Sequence, residues 1–269
     1  MNKQLSILSA AVLALSMSAS AQAVISVNTS VFNYSQSFDS LATTGTANAW
    51  ANDSSLPGWS LFNKTPAAIP AYAAGDGSVN TGSFYSFGTG TNTDRALGGT
   101  GSGGTYFGSP ASGTVAGWIA VAFQNNTGMA LDKFTLGFDG EQWRNGGNAS
   151  AQTMTLEYGF GGTFAAVASW TKPAGNFDWI SPVATTTAAA VNGNVAGLVA
   201  SRGGDINATW TDSSTLWVRW VENNDTGNDH GLAIDNFSLS VTAVPEPETY
   251  ALMLAGLGLV GFMARRRKN

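Results

Sequence analysis

Side chains that could do chemistry gather in two short stretches of this chain of 269 residues. The first is the run DGEQWR at 139–144, and the second extends over 217–235. The candidate residues for a ligand site or a structural network are Glu141, Trp143, Arg144, Arg219, His230 and Asp235. Two carboxyl groups held about 5–10 Å apart in a cleft could hydrolyse a glycoside, with a Trp ring as the platform for the sugar.

A glycosidase is therefore one interpretation of these residues. Its carboxyl groups would come from Glu141, Asp229 and Asp235. Its sugar platform would be Trp143 or Trp220. This mechanism requires that the carboxyl groups lie close together in a cleft, which the sequence does not show.

His230 is the single histidine of the chain and could act as a general base. It follows Asp229 directly, and successive strand residues point to opposite faces, so we do not expect these two side chains to pair. Neither the G-x-S-x-G pattern of hydrolases nor the H-E-x-x-H pattern of zinc proteases occurs. We therefore expect that the protein is not an enzyme and that none of these residues is catalytic.

A loop rich in oxygen ligands lies inside the second stretch. Its candidate Ca²⁺ ligands are Asn224, Asp225 and Asp229, with Asn223 and Asn228 beside them. Ca²⁺ prefers such hard oxygen atoms, although no Glu closes the loop at the EF-hand position. Asn, Asp and Gly are equally the residues of an ordinary tight turn. A Ca²⁺ site and a plain turn both stay open, and no other cofactor is expected.

The same side chains could instead serve the fold alone. Glu141 and Arg144 could pair with Arg219 and Asp235, which would tie two strand ends together. Most of the nine Trp residues would then fill the core. The candidates for sugar stacking, if exposed, are Trp50, Trp59 and Trp179.

The elements that must position these residues are predicted to be β-strands. In 131–138 and 153–160 large apolar residues alternate with small or polar ones, which is the period of a half-buried strand. Further strands are expected at 31–38, 56–62, 83–88, 115–124, 215–222 and 231–241. We expect a turn at 125–128, a flexible Gly-rich loop at 98–104, and a loop or short helix at 184–198.

These strands predict an all-β domain at 24–243, folded as one antiparallel two-sheet sandwich of the jelly-roll or lectin-like kind. The domain carries 7 basic and 15 acidic residues, a net charge of −8, once Lys3 and the charged residues of the tail are left out. Such a surface does not favour nucleic-acid binding. Since the chain has no Cys, disulfides and thiolate chemistry are excluded.

The two ends of the chain have the composition of targeting segments. Residues 1–23 combine Lys3, an apolar run and the small-x-small sequence Ala21-Gln22-Ala23, which predicts a signal helix cleaved before Val24. The tail at 244–269 contains the tripeptide Pro245, Glu246 and Pro247, then an apolar run at 250–264, then the basic residues Arg265, Arg266, Arg267 and Lys268.

The apolar run of the tail predicts a single hydrophobic, transmembrane helix. Fifteen helical residues extend over about 22 Å, which is short against a hydrocarbon core of about 30 Å. The basic end should stay on the cytoplasmic side and act as the membrane stop. Such a marginal span fits a temporary anchor, and a plain C-terminal anchor is the alternative.

The tail resembles the PEP-CTERM sorting signal of exported proteins of Gram-negative bacteria, in its tripeptide, its short Gly- and Leu-rich helix and its terminal arginines. The resemblance implies an exosortase-type membrane protease as partner, which cuts near the tripeptide. The protein would be anchored transiently at the inner membrane and then move to the cell surface or the exopolysaccharide matrix.

The rest of the chain resembles an uncharacterised domain of exported bacterial proteins. The resemblance is carried by LPGW at 56–59, RALG at 95–98, GEQWR at 140–144, WVRW at 217–220 and DHGLAID at 229–235. It implies a β-sandwich but no activity. We expect a structural or carbohydrate-contacting surface or matrix protein; the alternatives are a secreted carbohydrate-active hydrolase and a Ca²⁺-dependent, lectin-like glycan binder.

Overall fold

The computed structural model describes residues 24–102, 107–242 and 247–266. The signal peptide expected at 1–23 lies outside the described residues. So do Pro245 and Glu246 of the tripeptide and Arg267 and Lys268 of the basic end.

The described residues fold mainly as β-strands, which form two sheets packed as a sandwich. The strands are β1 (Ile25–Val27), β2 (Val31–Gln36), β3 (Asn48–Ala49), β4 (Trp59–Asn63), β5 (Ala71–Gly75), β6 (Ser83–Phe87), β7 (Ala96–Thr100), β8 (Thr114–Asn125), β9 (Leu131–Asn145), β10 (Thr153–Phe160), β11 (Trp179–Ile180), β12 (Ala189–Ala190), β13 (Leu198–Trp210), β14 (Thr215–Asn224) and β15 (Gly231–Thr242). A short 3-10 helix covers Phe164–Ala166, and helix α1 covers Pro247–Arg266.

One sheet has six strands in the order β1-β8-β14-β10-β11, with β4 also beside β8. The other has nine strands in the order β12-β9-β15-β7-β6-β5-β3, with β13 also beside β9 and β2 beside β15. Most pairs are antiparallel, as predicted. The pairs β1–β8 and β5–β6 are parallel, so the sandwich is not purely antiparallel.

The core lies between the sheets and is built around aromatic rings. Trp59 of β4 stacks on Trp220 of β14 with ring centroids 5.8 Å apart. Across the sandwich, Trp220 meets Phe138 of β9 and Phe237 of β15 edge-on, at 5.4 and 5.5 Å. All four side chains are buried. One Trp pair therefore joins the two sheets.

Three local predictions are wrong. The Gly-rich run at 98–104 is not wholly a loop, because Gly98–Thr100 are the buried end of β7. An added Cβ at Gly98 would collide with β15, so glycine allows the two strands to approach this closely. Strand β9 does not end at Phe138 but continues through the whole GEQWR run.

The third is the omission of β13, which pairs with β9 at the edge of the nine-stranded sheet. Its residues are mostly exposed or half-buried, and a bulge interrupts the pairing between Val199 and Arg202. Gly203 and Gly204 then take the positive φ angles +123° and +147°. This strand therefore lacks the clean alternation on which the prediction of strands depends.

Helix α1 begins at Pro247, the position that best tolerates proline in a helix. Its apolar stretch is bounded by a polar first turn and by Arg265 and Arg266 in the last turn, both exposed. Within the part of the chain that the structure describes, no helix combines the length and the apolar character needed to cross a membrane. This finding contradicts the predicted transmembrane helix.

Candidate functional site

The five sequence motifs of the domain come together in the fold. Strand β15 carries most of the DHGLAID run and lies between β7, with the end of RALG, and β9, with GEQWR. Ala233 is opposite Gly98 on one side and opposite Glu141 on the other. The remaining two motifs supply the stacked pair Trp59 and Trp220. The motifs thus form the centre of the sandwich.

Glu141 lies on the outer face of the nine-stranded sheet and is 2% exposed. Its Oε2 accepts a hydrogen bond of 2.8 Å from the indole N–H of Trp143, whose ring stacks on Phe87. The segment 191–197 covers this face, and an added Cβ at Gly193 would collide with the Trp143 indole. Burial raises the pKa of Glu141 to about 7, and the charges of Asp94 and Asp139 add to this rise.

Asp235 belongs to the same outer acidic group and is 3% exposed. It is opposite Asp139 in the β15–β9 register. Its Oδ1 accepts a hydrogen bond of 2.7 Å from the backbone N–H of Asn236. Burial raises the pKa of Asp235 to about 8, with Glu141 as the first of the neighbouring acids that raise it further. Glu141 and Asp235 therefore lie on the same covered face of the sheet, and both are almost completely buried.

The predicted pairing of Glu141 and Arg144 with Arg219 and Asp235 is wrong. Arg219 lies on the outer face of the six-stranded sheet, where its Nε donates to Oε2 of Glu157 at 2.7 Å. The two residues are opposite each other in the β10–β14 register. The Arg219 guanidinium also lies 5.0 Å from the ring of Trp118 and 3.8 Å from that of Trp170.

Arg144 forms hydrogen bonds to the backbone of a neighbouring loop. Its Nη1 donates to the backbone carbonyls of Gly77 and Ser78, at 2.9 and 3.0 Å. Gly77 has a φ of +84°, and an added Cβ there would collide with the backbone of Trp143. The arginine therefore fixes a close approach of this loop to β9.

His230 is buried, and the hydrogen bonds of its ring are made to Gln142 and Asn148. Its Nδ1 lies 2.8 Å from Nε2 of Gln142, and its Nε2 lies 3.2 Å from the carbonyl oxygen of Asn148. Nδ1 therefore accepts a hydrogen bond while Nε2–H donates one, which is the neutral ring. Burial lowers the pKa of His230 in agreement with this form. The histidine joins β9 to the 146–152 loop.

The proposed Ca²⁺ loop is held as a compact turn. The backbone N–H of Asp225 donates to Oδ1 of Asp229 at 2.6 Å, and the side-chain amide of Asn224 donates to the carbonyl of Pro110 at 2.9 Å. The amide of Asn148 donates to the carbonyls of Thr226 and Asn228 from outside the turn. Burial raises the pKa of Asp229 to about 7 and also raises that of Asp225.

A polar cavity, the end cavity, opens beside this turn where β7, β9 and β14 end. Its volume is about 280 Å³. It is lined by Asn80, Thr100, Ser102, Arg144, Gly146, Ala188, Asn224, Gly227, Asn228 and Asp229. Of the predicted site residues, Arg144, Asn224 and Asp229 therefore meet at one place, whereas Glu141, Arg219 and Asp235 lie elsewhere.

The predicted sugar platforms are not at the surface. Trp50, Trp59 and Trp179 are 4%, 0% and 2% exposed, and Trp143 and Trp220 are buried as well. Trp179 lies on Gly140, where an added Cβ would collide with its ring. These rings fill the core, which is the structural role that the sequence left as an alternative.

Glu222 is the residue that the sequence reasoning missed. It continues the inward-facing series Leu216, Val218 and Trp220 on β14, yet it is a carboxylic acid with 4% exposure. Burial raises the pKa of Glu222 to about 8, and the charges of Asp229 and Asp225 add to this rise. A charged residue at an inward position of a period-two pattern was the signal that could have found it.

Comparison with known proteins bears mainly on the tail. The profile of the PEP-CTERM protein-sorting motif matches residues 243–268. The chain carries a PEP-CTERM sorting signal. This motif implies export, anchoring at the membrane before processing, and processing by an exosortase.

Outside the PEP-CTERM motif the comparisons are distant. No curated protein matches the chain. A cleaved adhesin domain of Lys-gingipain from Porphyromonas gingivalis is similar over 68% of this chain and 90% of its own length, with 10% identity and a TM-score of 0.37. An arabinose-bound α-L-arabinofuranosidase is similar over 77% of this chain and 26% of its own, with 12% identity and a TM-score of 0.32. A Clostridium thermocellum xylanase complexed with xylohexaose is similar over 77% and 30%, with 10% identity and a TM-score of 0.28.

Proposed function

We propose that this protein is a non-catalytic component of the cell surface or the exopolysaccharide matrix, delivered there by its PEP-CTERM tail. The observation that carries the proposal is the match of the sorting motif to residues 243–268. In this proposal an exosortase-type protease cuts near Pro245–Pro247, and the sandwich is the released product. The basic end at 265–268 holds the chain at the inner membrane until then.

A non-catalytic role is supported by the places of the acidic residues. Glu141 and Asp235 are covered on an outer sheet face, and each is at most 3% exposed. Asp229 lines the end cavity, which does not include the other two. Hydrolysis of a glycoside requires two carboxyl groups that flank an accessible substrate, and this separation does not favour it.

The delivery is tested by tail variants expressed in a Gram-negative host that has an exosortase. Replacement of Pro245, Glu246 and Pro247 by Ala should leave the protein in the inner-membrane fraction, whereas the wild type is recovered from the surface or matrix. A matched control replaces Pro173, a half-buried proline of a loop, by Ala. Surface recovery of the tripeptide variant at the wild-type level would contradict the proposal.

Contact with exopolysaccharide would take place at the face around Arg219. Of the nine Trp residues, Trp118 and Trp170 are the two that are half-buried, and they flank this arginine. A partly accessible Trp ring offers an apolar surface to a ligand. The host's exopolysaccharide cast into a native gel should therefore retard the wild type but not Trp170→Ala, with Ile180→Ala as the control. Equal retardation of all three proteins would exclude this face.

A further inference from the structure

The end cavity is lined by a buried arginine whose charge has no carboxylate partner. Arg144 lines the cavity and is 7% exposed. It takes part in none of the ion pairs found among the described residues. A buried charge without a counter-ion is costly, because burial removes the water that would otherwise stabilise it. An anionic group bound in the cavity would reduce this cost.

The unused donors of Arg144 lie on one edge of its guanidinium. Both hydrogen bonds of the side chain to described residues come from Nη1, which donates to the carbonyls of Gly77 and Ser78. Nε is buried and has no hydrogen-bond partner in this part of the chain. Nε and Nη2 form the side-on edge of the planar group, whose two parallel N–H bonds match the two oxygen atoms of a carboxylate. The edge that fits a carboxylate is therefore the one that the fold leaves unused.

A second donor without a partner lies in the wall of the same cavity. Thr100 is 2% exposed, and its Oγ1 has no hydrogen-bond partner within the described ranges. Thr100 on β7 and Arg144 on β9 are both opposite Gly231 of β15. Residues opposite each other in neighbouring strands share one face of the sheet. The two unsatisfied side chains therefore lie on one face, on either side of a glycine, and a single ligand could satisfy both.

The rest of the lining suits the hydroxyl groups of a sugar. It includes the polar residues Asn80, Ser102, Asn224 and Asn228. Side-chain amides and hydroxyls both donate and accept hydrogen bonds, as sugar hydroxyls do. The cavity volume of about 280 Å³ is just below the range of sites for drug-sized ligands. The space therefore fits one sugar ring and not the interior of a polysaccharide chain.

Asp229 is the acid of this lining, and its protonation decides whether it repels an anion. Burial raises the pKa of Asp229 to about 7. At pH 6 its carboxyl group is therefore mostly neutral, whereas the carboxyl group of a sugar acid, with an ordinary pKa near 4, is ionised. The charge of Arg144 is then available to the ligand.

We propose that the end cavity binds the carboxylate of one free or chain-terminal sugar acid through the Nε–Nη2 edge of Arg144 and the hydroxyl of Thr100. The hydroxyl groups of the sugar would contact the polar lining. Arg219 lies on the other sheet, so this site is separate from the face proposed for contact with exopolysaccharide. The proposal depends neither on that contact nor on the sorting by the tail.

The experiment is a calorimetric titration of the full-length protein with sodium glucuronate at pH 6. Glucose, which has the same ring without the carboxylate, and inorganic phosphate are the comparisons. We expect one saturable glucuronate site per chain, with affinities for glucose and phosphate at least about 10-fold lower. At a glucuronate concentration about 10-fold above Kd, the melting temperature should rise by about 3–6 °C.

Two variants locate the site. Arg144→Lys keeps the charge and a donor for the neighbouring loop but removes the side-on edge, so its Kd for glucuronate should rise at least about 10-fold. Thr100→Val removes a hydroxyl that has no partner among the described residues. Its melting temperature without ligand should therefore match or exceed that of the wild type, while its Kd rises at least about 10-fold.

Two further variants are the controls, and both should bind glucuronate as the wild type does. Thr215→Val makes the same change at a buried threonine outside the lining. Trp170→Ala alters the face around Arg219 and so separates the two proposed sites.

Four results would overturn the proposal. They are the absence of saturable glucuronate binding by the wild type, equal affinity for glucose or phosphate, wild-type affinity in Thr100→Val, and an equal loss in Trp170→Ala. Since Thr100→Val removes no hydrogen bond between described residues, it keeps the test decisive even where Arg144→Lys does not fold.

Discussion

Replacement of Trp220 by Ala should lower the free energy of unfolding by about 3–5 kcal/mol and the melting temperature by about 10 °C. The reason is that Trp220 is fully buried and contacts both sheets. It stacks on Trp59 and meets Phe138 and Phe237 across the sandwich. Alanine would leave a large cavity at the point where the two layers join. Chemical and thermal unfolding followed by Trp fluorescence measures the change.

The conservative variant Trp220→Phe is the matched control. Phenylalanine keeps an aromatic ring between the sheets and removes the indole N–H, which has no hydrogen-bond partner among the described residues. It should therefore lose clearly less than the alanine variant. A loss below about 1 kcal/mol for Trp220→Ala would show that this ring does not join the layers as the structure indicates.

Stability should also fall as the pH rises from about 5 to about 8. Burial raises the pKa of Glu141 to about 7 and that of Asp235 to about 8 in the folded protein. In the unfolded chain both groups ionise near pH 4. The stabilisation from these acids is thus fully present below about pH 4 and is lost as the pH approaches their folded pKa values.

Between its pKa in the unfolded chain and its pKa in the folded protein, each of these two acids lowers the free energy of unfolding by about 1.4 kcal/mol per pH unit. We expect the melting temperature, measured with a chelator present, to fall by at least about 15 °C between the two pH values. Glu141→Gln and Asp235→Asn should each flatten this profile. Asp132→Asn, which removes a charge from an exposed residue, should leave it unchanged. A flat profile in the wild type would mean that the two acids stay ionised in the fold.

The strands with regular alternation could be predicted from the sequence, because burial of one face requires an apolar residue at every second position. Thr153–Phe160 was predicted with the bounds that β10 has, and the all-β sandwich followed from several such strands. Strand β13 has no such alternation, since it is an edge strand with two glycines at positive φ and few buried residues. Alternation of apolar and polar residues identifies a strand with one buried face, but it does not identify a strand without such a face.

The partners of the charged residues could not be predicted, because they depend on strand register. Arg219 pairs with Glu157 since β10 and β14 are neighbours and place these two residues opposite each other. Nothing in the local sequence of either strand specifies that neighbour. The same holds for Glu222. Its burial was readable from its inward position, whereas its closeness to Gly99 and Asp229 depends on the strand order.

The tail could be interpreted from sequence alone because its signal is linear. The tripeptide, the apolar run and the basic residues follow one another along the chain, so this pattern can be recognised without knowledge of the fold. The match of the PEP-CTERM motif to 243–268 agrees with that interpretation. The expectation of a membrane-crossing helix did not hold, because the charged and polar ends leave α1 too little apolar length.

In our proposal the sandwich reaches its destination by processing of this tail. The most direct test is the intact mass of the protein recovered from the cell surface or matrix of an exosortase-bearing host. We predict a chain that begins at Val24 and ends near the tripeptide, without helix α1. A mass that includes Asn269, and therefore the whole tail, would contradict the account and make the tail a permanent anchor.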